Sequence, residues 1–220
     1  MKIYTFLGPV SGKLESEELA LVELWKRSWS ALGWEPVVLT PESLRKDGET
    51  RRLLKKFAAL PSRNKRHLDM WCYARWLAVA QQGGGFMCDY DVMNYSFEPQ
   101  SFGDLTCYSG VVPCLMSGSA GEFMRGVAWF EKLETVPLWK FWVKRAHISD
   151  MLVLKDNQNQ VVKRFDCVNH GEQGWETAPT VHYSNFAMKP KGYMPRHEWI
   201  PKMRSFEEPQ ENSETGKFRK

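Results

Sequence analysis

The sequence lacks several features that would place a protein in a broad class at once. It contains no run of about 18 apolar residues, so no membrane-spanning helix is predicted. Its five cysteines form no C-x-x-C pair, and their odd number fits reduced thiols better than a disulfide framework. The opening segment, MKIYTFLGPVSG, has too short an apolar core for a signal peptide. We therefore expect a cytoplasmic protein.

Common catalytic motifs are also absent. The sequence has no G-x-x-x-x-G-K-[ST], G-x-S-x-G or H-E-x-x-H, which argues against P-loop enzymes, serine hydrolases and zincins. The triplet Gly83-Gly84-Gly85 follows a predicted helix and precedes a predicted strand, the reverse of a dinucleotide-binding loop. The formal net charge of +4 permits contact with an anionic partner but does not require it.

What remains is the pattern of one α/β domain. With 220 residues and 43% hydrophobic residues, the chain can build a core without disulfides or structural metal. The apolar runs KIYTFLG and EPVVLT predict strands, and the 3/4 spacing of apolar residues between Ser16 and Gly33 predicts a helix. Further strands are predicted within 104–118, helices within 121–134 and 137–152, and strand and loop within 175–186. We expect a domain over residues 1–203 and a disordered tail over 204–220.

A second helical pattern leads directly to a pair of acidic residues. The pattern runs from Asn64 to the glycine triplet, and the buried strand predicted at Phe86–Cys88 is followed by Asp89-Tyr90-Asp91. Alternate residues of an extended chain point to one side, so the two carboxylates should face the same way. Ligands of open α/β sheets bind at the carboxyl ends of the strands. Two close carboxylates there can hold Mg²⁺ or Mn²⁺ together with a nucleoside diphosphate.

The stretch DMWCYARWLAVAQQGGGFMCDYDV, residues 69–92, resembles the core of the DXD-containing sugar-transfer glycosyltransferases, the family 32-like group. The resemblance implies a GT-A fold, with a Rossmann-like, mostly parallel central sheet flanked by helices. It also implies transfer of a sugar from a nucleotide-sugar donor, a UDP- or GDP-sugar, to an acceptor hydroxyl, with retention at the anomeric carbon. Asp91 would then bind the metal, Asp89 would bind the metal and the donor, and Arg75 would hold the donor. Asp69 is a further candidate for donor binding, although it lies six positions before Arg75, whereas the family usually places an acidic residue three before.

The resemblance suggests further site residues in the second half of the chain. His182 resembles a C-terminal metal ligand, and an imidazole nitrogen would favour Mn²⁺ over Mg²⁺. Asp150 and Glu176 are the candidate catalytic carboxylates, since inversion would require a general base near the acceptor. The competing interpretations are a helix cap for Asp150 and a solvated loop residue for Glu176. Trp175, between Gly174 and Glu176, is the candidate acceptor-binding aromatic residue.

Other functions remain open at this point. A nucleotidyltransferase also uses paired carboxylates and a metal, but it would release pyrophosphate from a nucleoside triphosphate. A nucleic-acid-binding or scaffold protein could retain a decayed transferase fold and work through the basic stretch 45–66. The same stretch allows a transferase with an anionic acceptor, such as modified DNA or a phosphorylated glycan.

Overall fold

The computed structural model describes residues 1–9, 16–62, 64, 68–133, 147–188 and 195–205. Its strands are β1 (Lys2–Phe6), β2 (Glu35–Leu39), β3 (Gly84–Cys88), β4 (Val92–Asn94), β5 (Thr106–Cys107), β6 (Leu115–Ser119), β7 (Val162–Lys163), β8 (Cys167–Asn169) and β9 (Thr180–His182). Its α-helices are α1 (Ser16–Ser30), α2 (Gly48–Ala58), α3 (Leu68–Gln81), α4 (Ala120–Lys132), α5 (Asp150–Asp156), α6 (Asn185–Met188) and α7 (Arg196–Met203).

The central sheet has six strands in the order β2-β1-β3-β6-β5-β7. The pairs β1–β2, β1–β3 and β5–β7 are parallel, whereas β6 runs antiparallel to both β3 and β5. The sheet is therefore mostly parallel, with one reversed strand near its middle. This arrangement confirms the predicted α/β class and is compatible with a Rossmann-like sheet.

Two hydrophobic clusters cover the two faces of this sheet. On β3, Met87 packs into the cluster that includes α2, α3 and α4, while Phe86 and Cys88 pack into the cluster that includes α1 and the small sheet. This alternation follows from the two-residue period of a strand, and it shows that β3 is buried on both faces. Large aromatic side chains fill both clusters, including Trp76 in the first and Trp25 and Trp29 in the second.

Glycine allows β3 to approach β6 closely. Gly84 has a φ of 87°, and a Cβ atom there would lie 2.5 Å from the backbone nitrogen of Ala120 and 2.6 Å from the carbonyl oxygen of Gly118. Gly83, with a φ of 97°, lies between the end of α3 and β3. The sharp turn between helix and strand therefore needs residues without a Cβ, because a side chain is strained in this conformation.

A three-stranded sheet in the order β4-β9-β8 adjoins the central one. β4 follows β3 after the turn that holds Asp89 and Asp91, and it pairs antiparallel with β9 in a register that places Val92 opposite His182. β8 pairs parallel with β9 and places Asn169 opposite His182. The small sheet thus brings the end of β9 beside the turn that follows β3.

Most of the predicted elements of the first half are confirmed, since β1, α1, β2, α3 and β3 all occupy the predicted segments. The prediction within 137–152 is confirmed only for the start of α5, because residues 134–146 lie outside the described residues. The predicted tail also lies outside them from residue 206 onward. β9 lies within the segment 175–186 that is predicted as strand and loop. β4, β8 and α7 have no counterpart in the sequence predictions, and strands of three residues are too short to show a period.

Candidate functional site

The acidic pair lies in a turn at the carboxyl end of β3. The backbone nitrogen of Asp89 donates to the carbonyl oxygen of Cys114 at 2.9 Å, and the carbonyl oxygen of Asp89 accepts from Val92 at 3.0 Å. The carbonyl oxygen of Asp91 accepts from the backbone nitrogen of Tyr183 at 2.9 Å. Tyr90 points its hydroxyl toward Glu18 on α1, at 3.4 Å. The backbone therefore fixes both aspartates between β6 and β9.

His182 completes a group of three possible metal ligands with these aspartates. Its Nε2 atom lies 3.3 Å from Oδ1 of Asp91 and 3.8 Å from Oδ2 of Asp89. Its Nδ1 atom lies 3.0 Å from Oδ1 of Asn169. Because an amide oxygen only accepts, Nδ1 carries a proton, and Nε2 is the ring atom that faces the two carboxylates. One ligand atom from each of the three residues lies within 4.8 Å of the others.

Two buried arginines hold the outer oxygens of the carboxylates. Arg75 on α3 donates through Nη1 to Oδ1 of Asp89, and through Nη2 to Oδ2 of Asp150 at 2.6 Å and to the carbonyl oxygen of Pro113 at 2.9 Å. Arg196, the first residue of α7, donates through Nη1 to Oδ2 of Asp91 at 2.8 Å. Each aspartate keeps its second oxygen on the side of His182.

The charges of this cluster depend on His182. Burial disfavours its charged form, but the neighbouring Cys114 sulfur and the Asp91 carboxylate outweigh burial and raise the pKa of His182 well above its ordinary value. Burial also works against a charged Asp91, yet His182 and Arg196 together keep its pKa below the ordinary value. Burial raises the pKa of Asp89, although Arg75 opposes this shift.

Three carboxylates, Asp89, Asp91 and Asp150, thus face two guanidinium groups. A neutral His182 leaves one negative charge uncompensated in a buried place, which is costly. A proton on Nε2 of His182 or a divalent cation beside it would offset this charge. With its raised pKa, a protonated His182 balances this charge together with the two arginines, so a divalent cation would bind in place of the proton on Nε2.

The cluster opens into a cleft of about 430 Å³. The cleft lies at the carboxyl ends of β1 and β3, and its walls come from the loop after β1, from α3 and from the start of α5. The residues that line it are Phe6, Gly8, Glu18, Asn64, Leu68, Asp69, Trp71, Cys72, Arg75, Asp89, Tyr90, Asp91, Val112, Pro113, Cys114, His147, Ser149, Asp150 and Met151. Its volume is in the range of small-molecule sites in proteins.

Five of the predicted site residues line this cleft, namely Asp69, Arg75, Asp89, Asp91 and Asp150. Asp69 is buried and accepts hydrogen bonds from the Ser62 hydroxyl and from Nδ2 of Asn64, the latter at 2.9 Å. Both terminal nitrogens of Arg75 donate hydrogen bonds to acceptors within the protein. The structure therefore gives Arg75 a direct role in holding Asp89 and Asp150 together.

Asp150 lines the cleft, as expected of a catalytic carboxylate, but it is not the helix cap of the competing interpretation. The helix cap is Ser149, whose hydroxyl accepts from the backbone nitrogen of Leu152, so the interpretation of Asp150 as a cap is wrong. Oδ2 of Asp150 accepts from Arg75 at 2.6 Å, and Oδ1 accepts from the backbone nitrogen of Met151 at 2.9 Å. Both carboxylate oxygens of Asp150 are therefore held by donors of the protein.

Glu176 and Trp175 are not brought to the cleft. Glu176 is exposed in the loop between β8 and β9, and neither residue is part of the lining. The Trp175 ring packs on His170, with the ring centroids 4.3 Å apart, and its carbonyl oxygen accepts from Arg204. Proximity in sequence to His182 suggested a shared site, but the side chains of this loop face another part of the molecule. We therefore leave both residues out of the functional proposal.

Two residues of the site were missed by sequence reasoning. Arg196 lies 105 positions from Asp91 in the chain, and Asn169 lies 13 positions from His182. Arg196 stands in no motif, so no local signal could have identified it. Asn169 could have been found only with the β8–β9 register in hand, since that pairing places it opposite His182.

Comparison with protein-family models and with curated proteins finds no match for this chain. The resemblance of residues 69–92 to sugar-transfer enzymes therefore stays a prediction from the motif. Within the described ranges, no helix has the length and apolar character needed to cross a membrane. Function is inferred below from the geometry of the cleft and its acidic cluster.

Proposed function

We propose that this protein is a metal-dependent glycosyltransferase that moves a sugar from a nucleotide-sugar donor to an acceptor hydroxyl. The observation that supports this most directly is the convergence of Asp89, Asp91 and His182, of which the two aspartates line the cleft and His182 lies behind them. The mostly parallel sheet, with the cleft at the carboxyl ends of β1 and β3, is compatible with the GT-A fold that the DXD resemblance implies. A DXD pair that was sealed from every cavity would not have supported the proposal.

The donor set fits a small divalent cation. Two carboxylate oxygens and one imidazole nitrogen suit Mn²⁺, and Mg²⁺ would use the carboxylates with less benefit from the nitrogen. Asn169 orients the ring of His182 through Nδ1, as residues behind metal ligands commonly do. The metal would supply neutralisation of the charge on the departing nucleoside diphosphate.

The protein's own residues would position the donor. Arg75 holds Asp89 and Asp150 on the same wall, so both carboxylates can accept hydrogen bonds from donor hydroxyl groups in fixed positions. The DXD resemblance favours retention, so we propose that the reaction proceeds with retention at the anomeric carbon.

The test is a panel of UDP-, GDP-, CDP- and ADP-sugars with Mn²⁺, in which free nucleoside diphosphate is measured with and without EDTA. We expect release from a UDP- or GDP-sugar that EDTA abolishes. The variant D91N should lose at least about a hundredfold in this rate, since it removes charge stabilisation at the leaving group. The variant E176Q is the matched control, because Glu176 is a carboxylate outside the cleft and should leave the rate unchanged.

Other outcomes would reject the proposal. Release of pyrophosphate from nucleoside triphosphates, without release of diphosphate from any sugar nucleotide, would indicate a nucleotidyltransferase. No turnover together with nucleic-acid binding that weakens steeply with salt would indicate a binding protein. A D91N protein that kept full metal-dependent turnover would show that the acidic pair is not the metal site.

A further inference from the structure

Arg196 connects three parts of the chain at the edge of the acidic cluster. Its Nη1 atom donates to Oδ2 of Asp91 at 2.8 Å and to the carbonyl oxygen of Tyr183 at 3.2 Å. Its Nε atom donates to Oε1 of Glu17 on α1 at 3.3 Å, and its backbone nitrogen donates to the same oxygen at 3.3 Å. The side chain is buried. Several fixed acceptors therefore hold the guanidinium in one place.

Because of this contact, the two carboxylate oxygens of Asp91 have different partners. Oδ2 accepts from Arg196, and Oδ1 lies 3.3 Å from Nε2 of His182. The same holds for Asp89, whose Oδ1 atom accepts from Arg75 while its Oδ2 atom faces His182. Each aspartate can thus offer one oxygen to a cation placed between the three ligands, and the protein supplies two oxygens and one nitrogen.

We propose that Arg196 is a positioning residue that restricts Asp91 to one ligand oxygen and thereby makes the site select Mn²⁺ over Ca²⁺. This inference rests on the metal site of the proposed function. Ca²⁺ takes six to eight oxygen ligands and often binds both oxygens of one carboxylate. A smaller ion is satisfied by fewer ligands, and Mn²⁺ also accepts an imidazole nitrogen. Denying the second oxygen of each aspartate therefore penalises Ca²⁺ more than Mn²⁺.

The charge of Arg196 cannot by itself produce such a preference. Mn²⁺ and Ca²⁺ carry the same charge, so a guanidinium beside the site repels both to a similar extent. Removing that charge should strengthen the binding of both ions. The ratio of the two affinities is therefore the informative quantity, because the shared electrostatic effect cancels and the effect of the freed oxygen remains.

The experiment measures ion binding without any donor or acceptor. Free Mn²⁺ is followed by its electron paramagnetic resonance signal during titration of the protein, and Ca²⁺ affinity is obtained from displacement of bound Mn²⁺. The proteins are the wild type, R196M, R196K and R204M, each checked by circular dichroism. Arg204 is a matched control at the other end of α7, since it donates to the carbonyl oxygens of Trp175 and Ala178 and not to the cluster.

We expect the wild type and R204M to share a strong preference for Mn²⁺. In R196M, the affinity for Ca²⁺ relative to Mn²⁺ should rise at least about tenfold, the scale of effects from residues behind metal ligands. R196K should stay close to the wild type, because an ammonium can still occupy Oδ2 of Asp91.

An unchanged ratio in folded R196M would overturn the inference. A wild-type protein that binds Ca²⁺ as tightly as Mn²⁺ would overturn it without any variant, so the test does not depend on R196M folding. In both cases the metal site itself would stand. A wild type that binds neither ion would instead remove the metal site and the proposed function with it.

Discussion

Replacing Gly126 by alanine tests the packing of α4 against α3, the helix that carries Arg75. A Cβ atom at Gly126 would lie 2.5 Å from both Cε3 and Cζ3 of Trp76. The Trp76 side chain is fully buried, and its ring contacts Phe123 and Phe130 at centroid distances of 6.1 and 5.5 Å. Because these neighbours are themselves buried, the indole cannot move aside without disturbing the core.

The expected change in the unfolding free energy of G126A follows from two opposing effects. Alanine is favoured over glycine within a helix by about 1 kcal/mol. The new methyl group would stand roughly 1 Å inside the normal carbon contact distance of about 3.5 Å, and such overpacking costs about 1–3 kcal/mol or more. With a cost at the upper end, G126A should lose about 2 kcal/mol of unfolding free energy. For a chain of this length that loss corresponds to a fall of about 4–8 °C in Tm.

The assay is thermal unfolding followed by circular dichroism or calorimetry. G121A is the matched control, because Gly121 lies in the same helix and the nearest atom to its new Cβ would be 3.9 Å away. That variant should gain up to about 1 kcal/mol. The difference between the two variants isolates the packing cost from helix propensity. If G126A melted at or above the wild-type temperature, the close approach of α3 and α4 would be wrong.

Three further outcomes are expected. Gly8→Ala should lower Tm by several degrees and displace Trp71 from the cleft, as a chemical-shift map of labelled tryptophan would show, because the new Cβ would lie 2.5 Å from Cγ of that ring. Asn169→Ala should weaken Mn²⁺ binding by about tenfold in the same titration, since His182 loses its orienting partner; unchanged affinity would contradict this. Burial raises the pKa of Cys107 to about 12, so at pH 8 only about one thiol in 10⁴ is ionised. Its alkylation in the native protein, read by mass spectrometry, should be slow and should accelerate as pH rises; rapid labelling at pH 8 would count against this burial.

The local part of the site could be predicted from sequence. The helix before Gly83, the buried strand after it and the position of Asp89 and Asp91 at the strand's end all follow from periodicity and glycine. The two carboxylates do converge, but in a turn closed by the hydrogen bond from Val92 to the carbonyl oxygen of Asp89 and not in the extended chain that the sequence suggested. These features depend on residues close together in the chain, so the sequence carries the information directly.

Neighbourhood in sequence was misleading around β9. His182 lies at the end of a strand whose register places it beside the acidic pair, whereas Trp175 and Glu176 lie in the preceding loop and face elsewhere. A loop has no fixed period, so the direction of its side chains is set by what they pack against. For Trp175 that partner is His170.

The sequence alone therefore determined the α/β class, the central helix and strand, and the acidic pair, because each is written in short-range patterns of burial and backbone freedom. The tertiary structure decided which distant groups surround that pair. Arg196 reaches Asp91 across 105 positions, and Arg75 reaches Asp150 across 75. Burying several charges together is stable only when opposite charges meet at hydrogen-bonding distance. These contacts form only when the chain folds, and they determine which carboxylate oxygens are free to bind a metal in the proposed site.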